Sequence, residues 1–356
     1  MDLLTAATTT NVIKILLLGF LSFIIAFIAV PPLTHFLYKY RLWRTIKKDK
    51  SIDGQNLVVI PRVHLPHEKP VPRLGGLLVW IIPLVVSLLI MLLSKTGIPL
   101  FVKLNFLSRG QTWLPLTVLI GASLLGLADD LLQIRGKGKY VGGGLSLFWR
   151  ISIMALLGLL SGWWFYSKLG WTTIFIPPIG DINIGFFYVP LFIMTTLGCW
   201  AGGVIDGIDG LAGGALAIIF SAFSIIAFSQ GQIDLASFCA VLAGTILAFL
   251  WFNIPPARFY MGESGMMGLT ATLAAVAFLT NSVFVLPIIA GLLVIEAGTV
   301  ILQLLSKKFC HKKIFICSPI HHHLEAIGWS QSKITMRFWI LGMIMAIIGV
   351  IIKLLS

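Results

Sequence analysis

The sequence predicts an all-α polytopic membrane protein, and its composition and apolar pattern carry that prediction. Hydrophobic residues make up 58% of the 356-residue chain, whereas only 11% of its residues are charged. A soluble protein carries about 25% charged residues, so much of this surface must face lipid. The apolar residues are also gathered into stretches of about 20, the length that spans a bilayer as a helix. We therefore expect a single integral-membrane domain over residues 1–356 with about ten transmembrane helices.

The predicted spans and one short non-helical segment can be placed along the chain. In chain order the spans cover residues 11–37, 74–95, 113–133, 146–166, 186–205, 210–229, 235–253, 266–281, 283–306 and 334–355. The segment 172–188 reads TTIFIPPIGDINIGFFY, in which β-branched residues flank Pro177-Pro178 and Gly180-Asp181. That pattern predicts a short β-hairpin, which we place on the outer, periplasmic side.

Basic residues are concentrated in alternate loops. The loops after the first, third and ninth spans hold 20 of the 26 Lys and Arg residues when Arg258 and the nearby span residues Arg150 and Arg337 are counted with them. By the positive-inside rule these loops are cytoplasmic, and an even number of spans then places both termini outside. The same rule accounts for the net charge of +13, so we expect no nucleic-acid partner.

Acidic residues are rare, and five of them fall at the basic ends of predicted spans: Asp129, Asp130, Asp206, Asp209 and Glu263. Carboxylates at membrane depth are costly and are functional candidates by default. Neighbouring carboxylates repel unless a cation or a proton lies between them, and Mg²⁺ is usually held by one or two carboxylates together with substrate phosphates. The cluster predicts a metal-dependent phosphoryl-transfer site in the cytoplasmic loops. The alternative is a set of solvated helix ends.

Two further motifs carry cations or imidazoles. KPVPRLGG at 69–76 places Lys69 and Arg73 beside two glycines, a composition that suits phosphate binding, although a simple basic loop cap is equally consistent with it. SPIHHHLE at 318–325 holds three consecutive histidines, which cannot share one face of a helix. We therefore expect imidazoles that bind a diphosphate, and no compact three-histidine metal site.

Together these motifs resemble those of the polyprenyl-phosphate N-acetylhexosamine-1-phosphate transferases. The resemblance covers nearly the whole chain and includes the Asp129-Asp130 pair, DGIDGLAGG at 206–214, FNIPPARFYMGESG at 252–265 and PIHHHLEAIGW at 319–329. The last motif is typical of the branch with a muramoyl-pentapeptide donor. KPVPRLGG looks more like the branch that uses UDP-N-acetylglucosamine.

The resemblance implies a reaction and its participants. Phospho-N-acetylmuramoyl-pentapeptide would pass from UDP-MurNAc-pentapeptide to undecaprenyl phosphate, giving lipid I and UMP in peptidoglycan synthesis at the bacterial plasma membrane. It also implies Mg²⁺ and a homodimer. Two alternatives remain open: a transferase for UDP-N-acetylglucosamine or a related donor, and a catalytically silent membrane scaffold that binds lipid phosphate. Inverted repeats typical of a transporter are not evident.

Residue roles follow from the resemblance, position by position. The implied catalytic residues are Asp129, Asp130, Glu263, His321 and His322, with Glu263 and Asp129 as metal ligands. The implied substrate-binding residues are Lys69, Arg73, Asp206, Asp209, His323, Asn253 and Phe259.

Several positions depart from the family pattern. Trp200 and Gly203 stand where the family usually has asparagines, Gln133 replaces a lysine, Glu263 replaces an aspartate and Met266 replaces a serine. These departures are the reason for keeping the silent scaffold as an alternative.

Overall fold

The computed structural model describes residues 3–43, 71–138 and 143–356. Within these ranges nine helices are long and apolar enough to cross a membrane, which confirms an all-α polytopic membrane protein. The helices are α1 (Leu3–Lys39), α2 (Leu77–Ser94), α3 (Pro99–Leu104), α4 (Trp113–Ile134), α5 (Leu147–Lys168), α6 (Tyr188–Ala201), α7 (Leu211–Ser229), α8 (Ile233–Asn253), α9 (Gly262–Leu279), α10 (Leu286–Ile289), α11 (Gly291–Phe309), α12 (Ile320–Ala326) and α13 (Gln331–Leu355).

The ninth predicted span, 283–306, differs from the prediction. It is divided into the short α10 and the longer α11, because the backbone leaves helical geometry at Ala290 with φ −96° and ψ 29°. Helix α11 carries Glu296 and ends with Lys307 and Lys308 in its last turn, so its uncharged stretch is short. In the described part of the chain nine helices qualify as spans, and the tenth stays a prediction.

Helix α9 lies at the centre of the bundle. Seventeen of its 18 residues are buried, and the exception is Glu263 in the first turn. Small residues bring α4 and α9 close together: Gly126 lies against the backbone of Glu263, and Gly268 lies against Ser123. Membrane helices commonly pack through such residues, because lipid tails supply no hydrophobic force between helices. This packing sets the acidic end of α4 beside the acidic start of α9.

The outer helices expose apolar faces. Phe20 and Ile28 of α1 are 62% and 67% exposed, and Ile340 of α13 is 61% exposed. Such faces suit contact with lipid, since the backbone polar groups of a helix are satisfied internally. The inner face of α1 packs on α8, where the Ser22 hydroxyl is hydrogen-bonded to the Thr245 hydroxyl at 2.5 Å.

The predicted hairpin is confirmed. Strands β1 (Thr173–Ile176) and β2 (Gly180–Asn183) pair antiparallel. Asn281, just beyond the end of α9, holds the hairpin by accepting a hydrogen bond from the Phe175 N–H at 2.9 Å and donating one to Asp181 at 3.2 Å. Since 18 helical residues extend for about 27 Å, the hairpin and the acidic start of α9 lie at opposite ends of the bundle.

Both termini lie at the hairpin end. Lys353, near the end of α13, lies 4.3 Å from the ring centre of Phe175. Lys14, in the first half of α1, binds Asp234 at 2.9 Å, and the nearby Gln232 donates to the last carbonyl of α9. The termini are therefore remote from the acidic end. The assignment of these ends to the outside and the cytoplasm stays a prediction.

Candidate active site

Acidic residues from three segments meet at the first turn of α9. Backbone N–H groups there have no partner within the helix, and the helix dipole favours negative charge at this end. Asp130 accepts hydrogen bonds from the Glu263 N–H at 3.1 Å and the Ser264 N–H at 2.8 Å. Asp206 accepts one from the Gly262 N–H at 3.2 Å. The end of α4 and the turn before α7 are thereby both tied to α9.

Arg150 joins the other two carboxylates of this cluster. Its two terminal nitrogens donate to Asp129 Oδ2 and to Glu263 Oε1, each at 2.7 Å. Asp129 is fully buried, and it also accepts hydrogen bonds from Gln133 Nε2 at 2.7 Å and from the Leu145 N–H at 2.5 Å. The guanidinium therefore bridges α4 and α9 from the first turn of α5.

Arg73 is a second cation at the site. Its Nε lies 3.8 Å from Asp130 Oδ1, and its side chain is 23% exposed. Among the described residues this buried Nε has no hydrogen-bond partner. A buried donor without a partner costs about 1–3 kcal/mol, so Arg73 is well placed to bind an anion.

The turn between α6 and α7 carries Asp206 and Asp209. The pKa of Asp206 is raised from 3.8 to about 6, mainly because the carboxyl is buried. The neighbouring Glu263 and Asp209 also raise this pKa, whereas Arg73 and the Gly262 N–H lower it. Asp209 accepts a hydrogen bond from the Ala257 N–H at 2.9 Å, which ties this turn to the segment before α9.

Asn253 holds the same two segments together. Its Nδ2 donates to the Phe259 carbonyl at 2.8 Å, and its Oδ1 accepts from the Gly210 N–H at 3.1 Å. The side chain is 3% exposed. The resemblance implied that Asn253 binds substrate, whereas these contacts describe a residue that fixes the shape of the site.

The histidines divide between two directions. His321 and His322 lie with ring centres 4.2 Å apart, and a Cβ added to Gly207 would collide with His321 Nε2. His323 accepts a hydrogen bond from the Ile316 N–H at 3.3 Å and packs against Phe315. The structure thus brings two of the three predicted imidazoles to the turn that carries Asp206 and Asp209.

Each of these two imidazoles is paired with a glutamate. His321 Nδ1 lies 2.9 Å from Glu296 Oε2, and both side chains are fully buried. His322 Nδ1 lies 2.6 Å from Glu325 Oε2. Within the described residues His321 Nε2 has no hydrogen-bond partner. A carboxylate at Nδ1 favours the tautomer whose Nε2 is free to accept a proton or a hydrogen bond.

The structure provides no evidence that Phe259 or Lys69 binds substrate. Phe259 is fully buried and packs against Phe249 and Phe252 with ring centres 5.4 and 6.5 Å apart, so we interpret it as a core residue. Lys69 lies outside the described residues.

The departures at Trp200 and Gly203 can be located. Trp200 packs against a small apolar cluster of α4, α5 and α9 residues that includes Met154 and Met267. Trp200 therefore has apolar packing partners between helices. At Gly203, an added Cβ would make ordinary contact with Met266, at 3.7 Å from its Cε.

The predicted Mg²⁺ ligands do not fit a divalent ion as they are arranged. Glu263 and Asp129 are both bonded to the Arg150 guanidinium, which places a positive charge between them. In the parts of the chain that the structure describes, no group of three or more His, Cys, Asp or Glu side chains is arranged to hold a metal.

Sequence reasoning missed two residues of this site. Arg150 resembles an ordinary charge beside a loop in the sequence, but it lies within the first turn of α5 and is buried. Glu296 carries a clearer signal, because a lone carboxylate inside an apolar stretch indicates function or a buried partner. The structure supplies that partner as His321.

Comparison with known proteins places the chain in a family. A phospho-N-acetylmuramoyl-pentapeptide-transferase from Geobacillus sp. strain WCH70 is 35% identical over 337 residues, which cover 94% of this chain and 96% of the relative. Proteins of the same name from Bacillus velezensis and Clostridium perfringens strain 13 are each 33% identical, over 94% of this chain and 96% and 98% of their own lengths. The chain belongs to the phospho-N-acetylmuramoyl-pentapeptide-transferase family.

A broader match agrees with membership of this transferase family. Residues 112–281 match Glycosyl transferase family 4. This range holds all five acidic residues of the site, whereas the histidine run lies beyond it. The resemblance seen in the motifs is therefore confirmed. PIHHHLEAIGW is typical of the muramoyl-pentapeptide branch, and the relatives are named for the same branch.

Proposed function

We propose that this chain transfers phospho-N-acetylmuramoyl-pentapeptide from UDP-MurNAc-pentapeptide to undecaprenyl phosphate, giving lipid I and UMP in peptidoglycan synthesis. The observation that carries the proposal is similarity over 94% of the chain to relatives named for this transfer. Charged side chains gathered at one end of an apolar bundle support it, because a lipid acceptor and a charged donor must meet at such a place.

The reaction exchanges one phosphorus–oxygen bond for another. A phosphate oxygen of undecaprenyl phosphate attacks the sugar-linked phosphorus of the donor, and the bond from that phosphorus to the bridging oxygen breaks. The bridging oxygen leaves with UMP, and nothing is oxidised or reduced. Such transfers depend mainly on positioning and on stabilising the charge of the phosphate oxygens.

Arg73 is the residue that we assign to phosphate oxygens. Its buried Nε has no hydrogen-bond partner among the described residues and lies 3.8 Å from Asp130 Oδ1, and its charge also lowers the pKa of Asp206. An oxyanion bound there would accept a charge-assisted hydrogen bond from the Arg73 Nε–H. Asp130, fixed by two backbone N–H groups, is assigned to the acceptor side of the site.

The donor side is assigned to the turn before α7 and to the histidines beside it. Asp206 and Asp209 are held at this turn by backbone contacts, and His321 and His322 lie against Gly207. Imidazoles held by carboxylates suit hydrogen bonding to a diphosphate or to sugar hydroxyls.

The finer features of the proposal concern location, assembly and the metal. We place the site on the cytoplasmic side of the plasma membrane and both termini outside, on the strength of the basic loops. A homodimer follows from the resemblance, and the mass of the purified protein in detergent tests it. Mg²⁺ dependence stays a prediction, because the residue pair expected to hold the ion is bonded to Arg150.

An assay with two donors tests the proposal. Purified protein in detergent is given undecaprenyl phosphate with either UDP-MurNAc-pentapeptide or UDP-N-acetylglucosamine, with and without Mg²⁺, and UMP release is measured. We expect release only with the muramoyl donor, and loss of release in Arg73→Gln. Asp181→Asn at the hairpin end is the matched control, since it removes a charge remote from the site.

Other results would replace the proposal. Release only with UDP-N-acetylglucosamine would assign the chain to the other donor. Binding of undecaprenyl phosphate without release from either donor, in protein that runs as a single species, would favour the silent scaffold suggested by Trp200 and Gly203.

A further inference from the structure

Arg150 is the most heavily engaged cation of the site. All three of its guanidinium nitrogens donate: Nε to the Leu145 carbonyl at 3.2 Å, and the terminal nitrogens to Asp129 and Glu263 at 2.7 Å each. Its side chain is only 7% exposed. A planar guanidinium is the side chain best suited to reach two carboxylates at once.

The two carboxylates differ in how completely they are occupied. Both oxygens of Asp129 are used, since Oδ1 accepts from the Leu145 N–H while Oδ2 accepts from Gln133 and Arg150. Glu263 is 23% exposed and gives Oε1 to Arg150. The glutamate side chain is one methylene longer than that of an aspartate, so its carboxylate lies further from the α9 backbone and reaches the Arg150 guanidinium. One of the two negative charges of the pair is therefore already balanced by a cation that belongs to the chain.

A divalent ion at this pair would face two physical obstacles. It would have to displace the shortest hydrogen bonds that Arg150 makes to the two carboxylates, and it would lie beside a buried positive charge. Mg²⁺ demands oxygen ligands at about 2.0–2.1 Å in near-octahedral geometry, whereas Asp129 has no oxygen without a donor. Like charges at close range in a low-dielectric site repel strongly.

We propose that the Arg150 guanidinium is the resident cation between Asp129 and Glu263, and that it excludes divalent ions from this pair. The site then carries its positive charge on α5, covalently attached, and one side chain holds the starts of α5 and α9 and the end of α4 in register. The inference concerns the proposed transferase site, but it is measured without donor or acceptor, so it can fail or succeed independently of the reaction.

Electron paramagnetic resonance of Mn²⁺ tests the inference directly, because bound Mn²⁺ loses the six-line signal of the free ion. We expect no Mn²⁺ bound to the wild-type protein in detergent at millimolar Mn²⁺. Arg150→Gln should gain one bound Mn²⁺, and the double variant Arg150→Gln with Glu263→Gln should lose it again. Arg258→Gln, which removes an exposed arginine, should behave like the wild type.

Arg150→Lys separates charge from shape. The lysine keeps a positive charge but lacks the planar guanidinium that binds two carboxylates at once. We expect this variant to exclude Mn²⁺ as the wild type does. Size-exclusion chromatography shows whether each variant is folded. If Arg150→Gln aggregates, Arg150→Met takes its place in the comparison, because it also removes the positive charge.

Two outcomes would overturn the inference. Stoichiometric Mn²⁺ binding by the wild type that disappears in Glu263→Gln would show that the pair holds a divalent ion despite Arg150. Absence of binding in both the wild type and a folded Arg150→Gln would show that Arg150 is not what keeps the ion out.

Discussion

The Asp130 carboxylate of α4 accepts the N–H of Ser264 at 2.8 Å and so caps the first turn of α9. The cap joins two helices that are more than 100 residues apart in sequence, and it uses the same N–H groups that would otherwise lack a partner. It also orients the aspartate pair, because Asp129 must then turn towards Arg150. The Asp130 side chain therefore contributes both to the geometry of the site and to the packing of the bundle.

Asp130→Asn should lose both activity and stability. An amide offers one acceptor oxygen where the carboxylate serves two N–H groups, and it removes the negative charge at the start of α9. We expect UMP release to fall by about 100-fold or more and the free energy of unfolding to fall by about 1 kcal/mol. Turnover and melting temperature in detergent measure the two effects, with Asp181→Asn as the control. Near-normal turnover would remove Asp130 from the mechanism.

Close packing of α4 and α9 gives a paired prediction. A Cβ at Gly126 would collide with the backbone of Glu263, whereas at Gly121 of the same helix the nearest atom, Leu157 Cδ2, lies 4.0 Å away. Gly126→Ala should therefore destabilise the protein by about 1–3 kcal/mol or more, while Gly121→Ala should be neutral or stabilising by up to about 1 kcal/mol. Melting temperatures of the two variants compare them; equal values would mean that α4 and α9 are further apart.

Local sequence patterns predicted most of the fold. Apolar length placed the spans, and the Pro-Pro and Gly-Asp turns within 172–188 placed the hairpin, because both signals act over a few neighbouring residues. The break at Ala290 is not evident from the sequence, since glycines such as the neighbouring Gly291 are frequent within membrane helices and Pro287 is tolerated at the start of a helix. The charged residues of α11 are evident in the sequence. Whether they leave an uncharged stretch long enough to span a membrane depends on where the helix begins.

The site was predicted less evenly, for a physical reason. Carboxylates such as Asp206 and Glu263 stand out in an apolar sequence, so they could be found without a structure. Arg150 could not, because a basic residue near a span is ordinary, and its pairing with Asp129 arises only from the packing of α4, α5 and α9. Phe259 shows the converse, since its motif suggested substrate contact while tertiary packing placed its ring in the core.

Asp206 should make stability depend on pH. Its pKa is about 6 in the folded protein against 3.8 ordinarily, so the folded state binds the proton more tightly. Stability from this group is thus present below about pH 4 and is lost as pH rises through about 6. Asp206→Asn, which cannot ionise and can still accept from Gly262, should melt higher than the wild type at pH 8.

The same pair of proteins gives the control for that prediction. The difference in melting temperature between Asp206→Asn and the wild type should shrink steadily as pH is lowered from about 7 to about 4. Arg73, Glu263 and Asp209 also act on this carboxyl, so Asp209→Asn should reduce the difference at pH 8 by removing one negative neighbour. A difference that is constant over the whole pH range would contradict the raised pKa.

Glu296 should act on the reaction through His321 alone. Glu296→Gln keeps the shape of the side chain and an oxygen that can accept from Nδ1, but it removes the charge that favours this tautomer, so we expect UMP release to fall by at least about 10-fold with little change in melting temperature. Glu296→Ala also leaves a buried imidazole without a partner and should destabilise the protein by about 1–3 kcal/mol. A shifted pH profile of turnover in Glu296→Gln would show that the imidazole is the group affected, whereas an unchanged rate and profile would leave Glu296 a packing residue.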